Sequence, residues 1–378
     1  MRKIEEQLKL CKGLSEYPIF VKALIKRQEG NIKESLELFQ AATHLNPQNV
    51  ANLKQVGRSL FLLGKHKAAV GVYDEAQKLG IDDWEIWHNK GLCHKSTGDY
   101  DEAEDCFRNA NAIQRHNATF LELGDMLMSQ KNIEEALDTY SEALEFTPDS
   151  PQILEQIGLC QLKLGNDFKA FEAFGNAMTH DPRQCGSILA ACSMLQEKDD
   201  IDVALIKYRV AAIYKPNAPE LWNNVGMCFF GKRRYVAAIA CLKKALYFGP
   251  CEWKIAHNLG LVHLHTGQYA SAFHYFSQSI NLNPLHASSY MLLAVALTRL
   301  DDAENAFSAY DRAVQLDPSN YLVHLNYAVA LRNAGKSSRA LDQFEEFDRL
   351  WAQLDDDAKD ADQGAMRTSA RLRSALQK

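Results

Sequence analysis

The sequence predicts an all-α solenoid of stacked helix pairs. Three observations predict it. Apolar residues recur at i, i+3, i+4 and i+7 through nearly the whole chain, broken by short turn segments. One pattern of small and aromatic residues returns every 34 residues, as from Pro219 to Trp253. Seven of the ten prolines, Pro47, Pro148, Pro182, Pro216, Pro250, Pro284 and Pro318, fall at one place in that period.

The period is clearest from Pro219 to Pro250. Trp222, Val225, Gly226 and Phe229 share one face of a first helix, and Ala238, Leu242 and Ala245 share one face of a second. Asn217, followed three residues on by Glu220, predicts a capping box, with Pro219 in the first turn. Gly249-Pro250 stops the second helix. Neither helix can bury its apolar stripe alone, so neighbours must cover both.

The neighbours repeat the unit. Units start at Glu16, Val50, Trp84, Asn117, Pro151, Cys185, Pro219, Trp253, Ala287 and Tyr321. The eighth place is always small: Ala23, Gly57, Gly91, Gly124, Gly158, Cys192, Gly226, Gly260, Ala294 and Ala328. The twentieth is Ser35 and then alanine from Ala69 to Ala340. The twenty-fourth is aromatic, from Phe39 to Phe344, except at Leu242. Small residues let the two helices approach, and the aromatic fills the gap this leaves. The small residue at the twenty-seventh place, as in Ala42 and Ala76, lets the next unit dock.

This pattern resembles the tetratricopeptide repeat. The resemblance implies a right-handed superhelix in which each unit touches only its neighbours and first helices line the concave face. The expected organisation is a partial amino-terminal repeat helix at 1–15, ten repeats at 16–352 and a carboxy-terminal capping helix at 353–378. The unit from Cys185 is the weakest, with Asp199-Asp200 in its turn, and marks the place for a kink. In the unit from Pro219 the turn glycine, Gly231, comes two places early. The run Asp355-Asp356-Asp357 and the later Arg367, Arg371 and Arg373 read as a solvated face of the cap.

Composition narrows the function. The 378 residues are 47% hydrophobic and 24% charged, with net charge -6. That balance speaks against nucleic-acid binding. No signal-like segment opens the chain and no apolar run is long enough to span a membrane. The nine cysteines lack a C-x-x-C spacing and read as buried free thiols of a reducing compartment. No catalytic motif, P-loop or dinucleotide fingerprint occurs, so neither an enzyme nor a cofactor is expected. His257, His263 and His265 fall on different faces of one helix, which argues against a metal site. Trp84, Trp87, Trp222 and Trp253 sit near unit starts and read as inter-repeat packing.

Two candidate surfaces remain. The sixth place projects from the first helix toward the groove and holds Gln55, Asn89, Glu122, Gln156, Asn224, Asn258 and Asn326. A row of side-chain amides can pair with an extended peptide, because each supplies a donor and an acceptor. Arg58 lies in the same groove, one turn on from Gln55. The second surface is the exposed basic turn Lys232-Arg233-Arg234, suited to an acidic partner or anionic lipid.

Some stretches go beyond the repeat: LKQVGRSLFLLGKHKAA from Leu53, EGNIKESLELFQ from Glu29, LWNNVGMCFFGKRRYVAAIACLKKA from Leu221 and NLGLVHLHTGQYASAFHYFS from Asn258. With these the chain resembles, over essentially its whole length, the family of the fourth Bardet–Biedl syndrome protein, a tetratricopeptide subunit of the BBSome. The resemblance implies a non-enzymatic scaffold in trafficking of membrane proteins to and from cilia and in ciliogenesis. It implies as partners β-propeller subunits, a second tetratricopeptide subunit and a small extended subunit, with links to centriolar satellites and dynein–dynactin. It places the protein in the cytoplasm, cilium, basal body and centrosome, meeting membranes only through the complex. The alternative is a general peptide-binding adaptor outside the BBSome, such as a co-chaperone or motor adaptor. A co-chaperone carboxylate clamp fits at Lys54 and Asn89 but fails where Arg58, Ala118 and Glu122 replace asparagine, lysine and arginine. The sugar-transferase enzymes that carry similar repeats need a large catalytic domain, and few residues follow Ala352.

Overall fold

The computed structural model describes residues 15–80, 82–355, 359 and 362–376. All regular structure among them is helical. The chain divides into two compact units, Met1–Ser187 and Ile188–Lys378, and the division falls inside the helix Cys185–Glu197, in the weakest unit of the period. The helix expected over 1–15 lies outside the described residues apart from Ser15, which precedes the helix Glu16–Gln28 in an extended conformation.

Within each unit, a first helix of about four turns is followed by a tight turn and an antiparallel second helix. Glu16–Gln28 pairs with Ile32–Leu45, and Pro219–Gly231 pairs with Tyr235–Phe248. The crossing is as close as the small residues allow. A Cβ on Gly124 would come within 2.3 Å of Tyr140, and one on Gly57 within 2.5 Å of Tyr73. Where the aromatic is missing, Leu242 fills its place, 2.7 Å from a Cβ built on Gly226. The alanines of the twentieth place, such as Ala69, Ala136 and Ala238, are fully buried. Ser35 substitutes for one by donating its hydroxyl to the Ala23 carbonyl at 2.8 Å.

The turn has one demanding residue. The fifteenth place of every unit is left-handed: Gly30, Gly64, Gly98, Lys131, Gly165, Asp199, Arg233, Gly267, Asp301 and Gly335 all have positive φ. Six are glycine, as that conformation favours. Gly231 is not the turn residue of its unit but the last residue of the helix Pro219–Gly231, and Arg233 takes the left-handed position at φ 58°. The expected capping box is also absent. Ala218, not Asn217, is the N-cap and makes no side-chain cap bond. Proline forces the residue before it into an extended conformation, so Pro219 itself sets the helix start.

At the carboxy-terminal end, the helix Gln363–Leu376 sets Ala365 and Leu372 against Leu325, Ala328, Phe344 and Phe347. Arg373 pairs with Asp348 at 2.6 Å. The thiols of Cys93, Cys106, Cys160, Cys192 and Cys228 are buried and outside any disulfide, and burial pushes Cys93 and Cys192 up to about 12. Cys251 departs from the expectation by being exposed, and Cys241 is only half-buried. Cys11 lies outside the described residues.

Two outcomes follow from the crossing and the turn. Gly124→Ala drives a methyl into Tyr140 and should cost about 1–3 kcal/mol in denaturant unfolding, with hydrogen-exchange protection lost first in the helices 117–146. Arg233→Gly relieves a left-handed side chain and should raise stability by up to about 1 kcal/mol, measured by the same unfolding transition.

Candidate functional site

The sixth-place residues all lie on first helices and are half-buried. The structure commits several of them to internal partners. Asn89 donates to the Glu85 carbonyl one turn back at 2.7 Å, which leaves its side-chain oxygen available. Glu122 pairs with Lys95 of the preceding unit at 2.7 Å. Asn258 donates to Asn223 at 2.8 Å, and Asn223 donates to Asn224 at 3.2 Å, so three amides form one chain across two units. Asn326 reaches only the Met291 sulfur, at 3.6 Å. The side-chain oxygen of Gln55 is buried without a hydrogen-bond partner. Arg58 is exposed.

Arg58 borders a recess of about 330 Å3 between the helices Val50–Leu62 and Trp84–Thr97. Phe61, Leu62, Tyr73, Trp84, Glu85, His88, Asn89 and Leu92 complete its lining. Lys54 turns away from a ligand role, since it binds both Asp83, at 2.7 Å, and Glu85. Burial would lower its pKa, but the hydrogen bonds to those carboxylates outweigh burial and raise it. Asp83, Glu85 and Asn223 are partners that the sequence reading missed. Their only signal was a polar residue at a place where the repeat tolerates any.

The basic turn is less uniform than its sequence. Lys232 is held by Asp202 of the preceding unit. Arg233 and Arg234 are exposed, and among the described residues neither has an ion pair. Trp222 donates its indole N–H to the Pro216 carbonyl at 2.7 Å and carries the Lys244 ammonium 3.5 Å above its ring.

Two further clusters share one design. In the first unit Trp84 stacks on His116 at 4.4 Å, and His88 Nδ1 meets the Thr119 hydroxyl at 3.0 Å. In the second, Trp253 lies 4.4 Å from His286, and His257 Nδ1 meets Ser289 Oγ at 2.9 Å. Each cluster joins the start of one repeat to the start of the next. Ser289 is fully buried, so it is no accessible nucleophile beside His257. His263 stacks on Tyr275 and bonds Gln268, away from that pair. Among the described residues no three His, Cys, Asp or Glu side chains gather as metal ligands, and no helix is long and apolar enough to cross a membrane.

Tetratricopeptide-repeat family models match residues 20–83, 84–117, 219–248, 257–321 and 309–342, and a TPR-repeat model matches 124–165. The "BBSome complex member BBS4" of Mus musculus is 52% identical over 99% of this chain and 72% of its own length. Those of Bos taurus and Xenopus tropicalis are 51% and 48% identical, over 92% and 99% of this chain and 67% and 72% of theirs. The chain belongs to the BBS4 family of BBSome complex members. It shares with that family the tetratricopeptide scaffold and not merely the repeat. Among solved structures, the Cut9–Hcn1 hetero-tetramer of the APC/C has a chain matching 98% of this one at TM-score 0.53 and 13% identity. That chain is matched over 92% of its own length. The human IFIT1 dimer with m7Gppp-AAAA matches 90% of this chain and 91% of its own at 0.53 and 15%. At such identities the likeness is one of fold.

The histidine clusters carry a pH dependence. Burial, with His286 beside it, lowers His257 to about 4, and burial lowers His88. A base whose folded pKa lies below its unfolded value stabilises the fold above that unfolded value, near 6.5, and loses this as pH falls toward the folded one. Stability should therefore drop between pH 6.5 and about 4, by on the order of 3 kcal/mol for His257. His257→Asn keeps a polar partner for Ser289 and should flatten that drop in a series of urea titrations.

Proposed function

We propose that the chain serves the BBSome as a non-enzymatic scaffold whose first-helix face holds an extended segment of a partner subunit. The observation that carries this is the set of half-buried amides with unspent capacity: Asn89 in the first compact unit, on the wall of the 330 Å3 recess at Arg58 and Trp84, and the Asn224 nitrogen and Asn326 in the second. Gln55 and Gln156 in the first unit and Asn258 in the second hold the same place of the repeat, whereas Glu122 is spent on Lys95. An extended chain offers one N–H and one C=O per residue, and side-chain amides answer both. The small extended subunit of the complex fits this description best. The β-propeller subunits and the second tetratricopeptide subunit then dock on other faces. In this reading the protein works at the cilium, basal body, centrosome and centriolar satellites. It meets dynein–dynactin and membranes as part of the assembly. The adaptor reading outside the BBSome draws no support from Lys54, which is spent on Asp83 and Glu85.

Asn224→Ala with Asn326→Ala tests this in complex reconstituted from its subunits. Truncation leaves the partner's backbone groups unpaired at about 1–3 kcal/mol each, so assembly should weaken about tenfold or more, with helical content unchanged. Normal assembly of this variant overturns the proposal. Failure of an Arg233→Glu, Arg234→Glu variant in its place would move the contact to the basic turn.

A further inference from the structure

The helix Ile201–Tyr214 exposes an apolar stripe among the charges Asp202, Lys207 and Arg209 of its outer face. Ala204, Tyr208 and Ala211 are buried against its neighbours. On the other side Val203, Ile206, Val210 and Ile213 stand at helical spacing and are 46%, 62%, 37% and 75% exposed. A surface helix ordinarily puts charge there. The next second helix, Tyr235–Phe248, exposes Val236 and Tyr247 at 85% and 82%. Isolated apolar residues on a surface need no explanation, but a contiguous patch marks an interaction site.

Beside the patch lies a recess of about 410 Å3 with Leu205, Trp222, Val225 and Phe229 in its walls. Arg209 and Arg234 border it. Residues 201–248 hold eight lysines and arginines against Asp202 and Glu220, a net of +6 in a chain whose total is -6. Asp202 is already taken by Lys232. Arg209, Arg233 and Arg234 have no ion pair among the described residues.

We propose that this outer face docks an acidic amphipathic helix of a partner protein, with a large apolar side chain in the recess and carboxylates against Arg209, Arg233 and Arg234. The stripe at helical spacing suits a helix laid along it. Charge complementarity selects an acidic partner and rejects a second copy of this chain, whose identical face would bring like charges together. The recess favours a protein over a bilayer, because a protruding side chain fills it and a flat lipid surface leaves it empty. This surface is separate from the first-helix amides and does not depend on them.

Two designed amphipathic peptides test it against the full chain by fluorescence anisotropy. They share one Leu/Phe face and carry either glutamate or lysine opposite it. The glutamate peptide should bind at least about tenfold tighter, and less so as salt rises. Ile206→Asp with Ile213→Asp should abolish this binding and leave the circular dichroism unchanged, since both side chains are exposed. Arg233→Glu with Arg234→Glu should reverse the preference between peptides. Asn224→Ala with Asn326→Ala should leave peptide binding intact, which separates this result from that of the groove. Equal binding of the two peptides, no binding, or binding that survives the Ile206→Asp, Ile213→Asp change overturns the proposal. So does sedimentation with phosphatidylserine–phosphatidylcholine vesicles that those changes abolish, which assigns the face to membrane, or a dimer that they dissociate.

Discussion

The close crossing of the two helices in each pair is the contact on which the rest depends. It needs a residue without bulk on the first helix, a small one on the second, and a large apolar side chain, a ring in every pair but the one with Leu242, between them. Gly124 with Tyr140 and Gly158 with Phe174 show the fit, with no room for even one methyl group. Once that distance is set, the spacing of the apolar stripes decides how the next pair docks. Stability is then local, because each pair leans only on its neighbours. A long chain can be assembled this way without one large core, and both faces of its helices stay open to partners.

That geometry was legible in the sequence because it depends on side-chain size at fixed spacing, and size can be read from residue type. The helix pairs and their small and aromatic contacts follow from it. What depends on competition between neighbours was not legible. Pro219 displaced the predicted cap onto Ala218, since a backbone restriction outweighs a side-chain hydrogen bond. Arg233 holds a left-handed turn that only the register of the other turns would have revealed. The amide row was read as facing a ligand, yet Asn258 and Asn224 are linked through Asn223, a residue with no consensus signal. Trp84 and Trp253 do pack between repeats as their places predict, but their partners His116 and His286 were not legible, because the residue before a unit start carries no consensus signal.

The polar residues divide by how much of their bonding is spent internally. Lys54, Glu122 and Lys232 are committed to ion pairs between successive repeats. They fix the stacking rather than offer a contact. Asn89, Asn326, Arg58, Arg233 and Arg234 keep capacity for something else. The first three lie on first helices, and the last two lie in a turn beside an apolar outer face. The two proposals divide along the same line, the polar first-helix residues suiting an extended backbone and the apolar, basic face suiting an acidic helix.

The most direct measurement is the structure of the reconstituted complex by electron cryomicroscopy, at a resolution that traces main chain. The account predicts extended partner density along the first helices, with backbone N–H or C=O groups about 3 Å from the side-chain amides of Asn89 and Asn326. A first-helix face left open to solvent in the assembled complex, with every partner on the turns or second helices, would contradict it.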